Sequence, residues 1–197
     1  MRRGRVAGGF AEPVRLALAR DPALVAEIAR RILNAHFPES IRQDVADAVG
    51  LCLDAESAAA PEQAQRRRDP AFREKVLLAY EYRCCVCGHD LRLGGHAIGL
   101  EAAHIKWFQA RGPDVVPNGL ALCSLHHKIF DLGAFTVLPG NHQIVFSRHL
   151  MGGDDTKAKL LAHHGAGLIG PQGRECLPQP EFLAWHRTEV FKQPARE

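Results

Sequence analysis

The sequence has no apolar run approaching the ~18 residues that a helix needs to cross a bilayer. It also lacks the apolar core of a secretory signal: the start, MRRGRVAGGFAEP, is basic, and charged residues resume at once. Together these absences lead to the expectation of a soluble, cytoplasmic protein. Internal repeats and low-complexity tracts are missing too, which sets aside solenoids and fibrous arrays. Net charge is scarce, since 25 Lys and Arg against 22 Asp and Glu leave only +3. Bulk charge therefore says little about an anionic partner. What is present is ordinary for a packed protein: 197 residues, 46% hydrophobic and 24% charged. That length allows one ordinary domain or two small ones.

The charge is unevenly spread. Residues 1–33 carry seven Arg against three acids, residues 34–65 one against six, and residues 66–100 seven Lys and Arg against four. Positive charge gathers near the start and just before a cysteine cluster, and a solvated surface is the plain reading of both stretches. Six cysteines are present, Cys52, Cys84, Cys85, Cys87, Cys123 and Cys176. In an intracellular chain a local Cys-x-x-Cys points to metal or redox chemistry and not to a disulfide scaffold. Cys52 and Cys176 stand alone and read as inert.

Residues 1–52 read as helical. Glu12-Pro13 opens a short helix to about Ala19. Asp21-Pro22 is an N-cap followed by proline at the first helical position, and Leu24, Ile28 and Ile32 repeat at helical spacing until Pro38. Ser40 and Gln43 form a capping-box pattern ahead of Ile41, Val45 and Val49, and Gly50 is a stop. Residues 53–68 have no apolar period and read as a linker. Asp69-Pro70 opens a predicted helix over AFREKVLLAYEY, ending at Arg83. Strands are expected over 98–105 and 119–123, joined by a Gly- and Pro-containing loop, with a short helix over 124–133 ended by Gly133. A hairpin around PGNH, a helix near 155–163 and a last helix from Pro180 complete the reading. In that last helix Phe182, Trp185 and Val190 fall on one side.

Two short knuckles carry the first chemical signal. Cys84-x2-Cys87 is followed by Gly88, and Cys123-x2-His126 follows after the two strands. Two sulfurs from one segment and a sulfur and a nitrogen from the other make the tetrahedral donor set of a structural Zn²⁺. Cys85 is an unneeded third thiol there. The choice of His126 rests on the two-residue gap after Cys123. His127 projects about 100° away along a helix and is left for other work, with swapped roles as the alternative.

His104, Asn118 and His127 lie within the span of the knuckles, at the end of one strand, the start of the next and on the following helix. This pattern resembles the HNH nuclease motif of the ββα-metal fold over roughly residues 69–138. The resemblance implies a metal-dependent DNA endonuclease with His104 as general base and Asn118 fixing the loop and orienting His104. His127 would hold a divalent cation, Mg²⁺ or Mn²⁺. Many such enzymes carry an acid or histidine just before the base, and here Ala103 cannot ligate. Asp131, four residues beyond His127 and on the same helix face, is the expected second ligand, with Glu101 a weaker candidate. His89, His96, His142, His149, His163, His164 and His186 read as surface residues. Trp107 and Phe108 read first as packing under the loop, with stacking on a base as the alternative.

A narrower resemblance lies in RRRDPAFREKVLLAYEYRC, GLEAAHIKWFQARGPD, NGLALCSLHHKIFDLGAFTV, PEFLAWHRTEVF and NAHFPESIRQDV. These are similar to restriction endonucleases that bind phosphorothioated DNA, which are modification-dependent, type IV-like enzymes. It implies a helical tail of a sulfur-recognising domain at 1–52, a linker at 53–68 and a nuclease domain at 69–197. The aromatic- and proline-rich upstream part of that recognition domain has no counterpart here, so the sequence reads as a shortened member or a fragment. The expected class is α+β: a zinc-stapled ββα-metal core with an N-terminal helical segment and flanking helices. The expected partner is DNA, phosphorothioated in the narrower reading, and enzymes of this kind often act as homodimers. The competing readings are a non-catalytic zinc module that binds nucleic acid and an inactive fragment of a restriction enzyme.

Overall fold

The computed structural model describes residues 9–51 and 69–197, so the expected linker and Cys52 lie outside the described residues. The first helices follow their local signals. Helix α1 spans Glu12–Arg20 and α2 spans Pro22–His36, where the Asp21 side chain accepts the Leu24 N–H at 3.1 Å, the N-cap bond that the sequence predicts. Pro38 ends α2, and a 3-10 turn over Glu39–Ile41 leads into α3, Arg42–Ala48. Ser40 sits inside the 3-10 turn, and its hydroxyl donates to the distant Asp131. The Gln43 side chain of the expected capping box lies outside the described residues.

Helix α4 spans Phe72–Ala79 and is shorter than predicted. Glu81 and Tyr82 adopt left-handed backbone with φ of 53° and 55°, and the Tyr82 N–H turns back to the Leu77 carbonyl at 2.7 Å. The chain has to reverse here to bring Cys84 into its knuckle, and that tertiary demand overrides the helical propensity of the sequence. A small hairpin follows, β1 at Arg92–Leu93 and β2 at His96–Ala97, turned by Gly94-Gly95. This dipeptide is a hairpin signal that the sequence reading missed.

The central unit is β3, Leu100–His104, paired antiparallel with β4, Gly119–Cys123, and followed directly by α5, Ser124–Asp131. The register sets His104 opposite Gly119 and Leu100 opposite Cys123. One end of the pair therefore carries the base candidate and the other carries a thiol. Helix α4 packs on this pair through Phe72, Val76 and Leu77, all buried. The second hairpin, β5 at Phe135–Val137 and β6 at Ile144–Phe146, extends the core beneath α5. Helices α6, Asp154–Leu161, and α7, Pro180–Glu189, close the outside. Phe130, Phe135 and Phe146 are fully buried and touch in series, with ring centroids 5.1 and 5.4 Å apart. Each such burial stabilises by roughly 1.5–3 kcal/mol.

Helix α7 corrects one expectation. Its fully buried residues are Leu183 and His186, and Trp185 is only partly covered. His186, read from sequence as a surface residue, stacks on Phe130 with centroids 3.7 Å apart and planes 1° from parallel. Its two ring nitrogens meet Thr136 Oγ1 at 3.0 Å and the Phe130 carbonyl at 3.1 Å. Both polar atoms are satisfied, which is how a histidine is kept in a core. His89, His142, His163 and His164 are also partly covered, whereas His96 and His149 are exposed as expected.

Candidate metal centre and active-site cavity

The two knuckles converge. Donor atoms of Cys84, Cys87, Cys123 and His126 all lie within 4.8 Å of one another. His126 Nδ1 is 3.1 Å from Cys123 Sγ and 3.7 Å from Cys84 Sγ, and the Cys87 and Cys123 sulfurs are 4.0 Å apart. Zinc bonds of about 2.3 Å to sulfur and 2.0 Å to nitrogen require edges of this length in a tetrahedron. The donors also need a cation electrostatically. Hydrogen bonds from Cys123, and then from His126, hold Cys84 as a thiolate, pushed down to about 3 against its burial. That charge and the burial of the site push Cys123 up, so the three thiols cannot all ionise unaided. The residues fit a structural zinc. Cys85 is outside the group, fully buried in the hydrophobic core, with burial raising its thiol.

The neighbour of His126 faces the other way. His127 Nδ1 is 2.5 Å from Glu101 Oε2, and His127 Nε2 is 3.2 Å from Asp131 Oδ2. Burial disfavours its charged form, but hydrogen bonds to Asp131 and Glu101 outweigh this and push His127 up to about 9. The same contact with His127, opposed by burial and aided by Ser124, brings Glu101 down to about 2. The two carboxylates differ sharply. The Glu101 side chain is 46% exposed, whereas that of Asp131 is 2% exposed and accepts the Ser40 hydroxyl.

The two acids meet opposite nitrogens of the His127 ring, and both line the cavity described below. Asp131 uses one oxygen, Oδ2, for both His127 Nε2 and the Ser40 hydroxyl, and Glu101 on Nδ1 is the more exposed carboxylate. A nitrogen donor and an oxygen donor bordering a cavity are a set that divalent first-row ions accept. Ala103 is fully buried, consistent with having no part in ligation.

His104 ends β3 with its Nε2 2.8 Å from Asp114 Oδ1. Its ring stacks on Phe72, centroids 4.1 Å apart and 18° from parallel. The other oxygen of Asp114 accepts the Asp69 N–H at 2.7 Å, so one carboxylate ties the start of α4 to the imidazole. Sequence reasoning missed Asp114. Its only signal is an acid in a Gly-Pro turn of the loop between the strands.

Asn118 is fully buried and clamps that loop. Its Oδ1 accepts the Lys106 N–H at 2.8 Å, and its Nδ2 donates to the carbonyls of Lys106 at 3.0 Å and Pro113 at 2.9 Å. It reaches His104 through the backbone, since Ile105 N–H donates to the Asn118 carbonyl at 2.9 Å. The clamp needs Gly112, where a Cβ would lie 1.8 Å from the Lys106 carbonyl oxygen and 2.9 Å from Asn118 Nδ2.

His104, His127, Glu101 and Asp131 line a single cavity of about 340 Å³, together with Trp107, Phe108 and residues 38–40. The ring of Trp107 lies 6.3 Å from that of Phe37 and 5.7 Å from that of Trp185, and its buried indole nitrogen has no hydrogen-bond partner among the described residues. Trp107 therefore packs between the N-terminal helices and α7 at the edge of the cavity.

A set of four sulfur and nitrogen donors suited to a structural zinc thus lies beside an open cavity bordered by two anchored imidazoles. Residues 84–138 match the family model described as HNH endonuclease, and the chain carries an HNH domain over that span within its α+β fold. Among solved structures, the modification-dependent TagI restriction endonuclease is similar, with a TM-score of 0.48 and 22% identity over 75% of this chain and 44% of that one. The chain thus spans less than half the length of that protein. No curated protein matches the chain.

Proposed function

We propose that this chain hydrolyses DNA phosphodiester bonds with the help of a divalent cation. The observation that supports this reading is that His104 and His127, each held by a carboxylate, border the same cavity. A phosphodiester resists water because its charge repels the nucleophile and its leaving oxygen is poor. The site needs a base and a cation to answer both.

His104 is the base. The carboxylate at Nε2 orients the ring that would take a proton from water. Asp114 also favours the imidazolium that results. Asn118 keeps the loop closed around this pair. His127 and Glu101 would hold the cation, Mg²⁺ or Mn²⁺, which would supply positive charge against the phosphate and the departing oxygen. Asp131 takes the Nε2–H of His127 and so fixes the orientation of its ring.

The resemblance of residues 34–45, 66–84, 99–114, 118–137 and 180–191 to restriction endonucleases that bind phosphorothioated DNA supports a narrower reading, in which the chain restricts such modified DNA. Plasmid cleavage tests both levels. Zinc-loaded protein with Mg²⁺ or Mn²⁺ should cut plasmid DNA, and His104→Ala should lower the rate by at least ~100-fold without loss of zinc. A preference for sulfur-bearing plasmid would support the narrower reading. If the wild-type chain, folded and zinc-loaded, cuts neither plasmid, the nuclease reading fails, and a module that only binds DNA takes its place.

A further inference from the structure

One wall of the cavity comes from outside the HNH span. Pro38, Glu39 and Ser40 belong to the turn between α2 and α3, yet they line the cavity with His104 and His127. Contacts to two parts of the nuclease core hold the turn in place. The Ser40 hydroxyl donates to Asp131 Oδ2, and Lys128, one turn earlier on α5, donates its ammonium to the Ser40 carbonyl. Gln109, from the loop between the strands, donates to the Phe37 carbonyl at 3.1 Å, and the Phe37 ring lies against Trp107.

The same oxygen of Asp131 faces both Ser40 Oγ and His127 Nε2. Such a carboxylate is aimed by both donors. With the hydroxyl removed, it is free to turn about its χ2 and no longer fixes the imidazole. A residue of the N-terminal helical segment thus reaches the ion-binding histidine through one intermediary.

We propose that Ser40 is a positioning residue of the catalytic cavity: it orients Asp131, Asp131 orients His127, and the site is complete only when the turn over 39–41 is docked on α5. This rests on the assignment of His127 as a cation ligand. Partners of metal ligands typically change metal affinity or activity by about 10- to 100-fold when removed.

The test uses the full zinc-loaded chain and two readouts, Mn²⁺ binding by calorimetry and plasmid cleavage. Ser40→Ala should weaken Mn²⁺ binding and lower kcat, each by about tenfold, with KM for DNA unchanged. Ser40→Thr, which keeps the hydroxyl, should behave as wild type. In an Asp131→Asn background, Ser40→Ala should add nothing, because its effect runs through that carboxylate. If Ser40→Ala melts early, Ser40→Cys preserves volume, removes the strong donor and should show the same losses. Unchanged Mn²⁺ affinity in the folded variant, equal losses in Ser40→Ala and Ser40→Thr, or additive effects with Asp131→Asn would overturn the proposal. A wild-type chain that binds Mn²⁺ but does not cleave would count against the nuclease reading alone, and the binding comparison would still decide the role of Ser40.

Discussion

His126 and His127 are neighbours on one helix and serve two sites of opposite design. His126 faces three sulfurs and completes a set of four donors. His127 faces one exposed and one buried carboxylate at the edge of a cavity of about 340 Å³. The β4–α5 junction supplies residues to both, joined by the knuckle at 84–87 in the first and by β3 in the second. A complete set of sulfur and nitrogen donors makes the first site a staple. Openness and hard oxygen donors make the second a place where a substrate oxygen can approach. The 100° step between consecutive helical residues is enough to separate the two roles.

The largest way to break this comparison is to remove the staple. Binding of structural zinc to small domains is worth on the order of 10 kcal/mol or more and is spent on folding. A strong chelator should therefore abolish the cooperative melt of the domain, and Cys84→Ser should do the same, as differential scanning calorimetry would show. A melt that ignored chelation would mean that the thiols are only packed together.

A smaller effect should act on both sites at once, because α5 rests on His186 through Phe130. Burial holds the His186 imidazole neutral, pushed down to about 4 from its ordinary 6.5. The unfolded chain takes up the proton first. Stability is therefore fully present above about pH 6.5 and falls as the pH drops toward 4, by about 3 kcal/mol in all. Urea melts of wild type and His186→Gln across this range should converge at low pH. A parallel pair of curves would exclude His186 as the group responsible.

The smallest effect should be confined to the open site. Asp114→Asn keeps the shape beside His104 but removes the charge that favours its imidazolium. Cleavage should slow by about 10- to 100-fold, with zinc content and melting unchanged. Loss of zinc in this variant would show that the two sites are not separable.

The sequence was legible wherever the signal was local. Asp21-Pro22, the span of β4 and the paired Cys and His spacings depend on residues a few positions apart, and the structure shows them in place. The misread positions all needed knowledge of what the chain meets in space. Nothing in the local pattern at Ser40 signals that its hydroxyl donates to Asp131, 91 residues away. Asp114 lies ten residues from His104 in an irregular loop, and only the closure of that loop on Asn118 brings the two together. His186 could be placed in the core only by knowing that α7 packs on Phe130. That Asp131 is buried and Glu101 half exposed is likewise something helical spacing does not reveal.

The stack of Phe37, Trp107 and Trp185 has an optical consequence. The chain has two tryptophans, and they are the two whose rings meet edge to face at 5.7 Å. One borders the cavity and touches the N-terminal helices, and the other is on α7. Any intrinsic indole emission from this protein therefore originates at the junction of the three parts. Lifting the turn at 38–40 away from α5 would expose Trp107 and move that emission to longer wavelength, so the docked and undocked forms carry their own colour without an added dye.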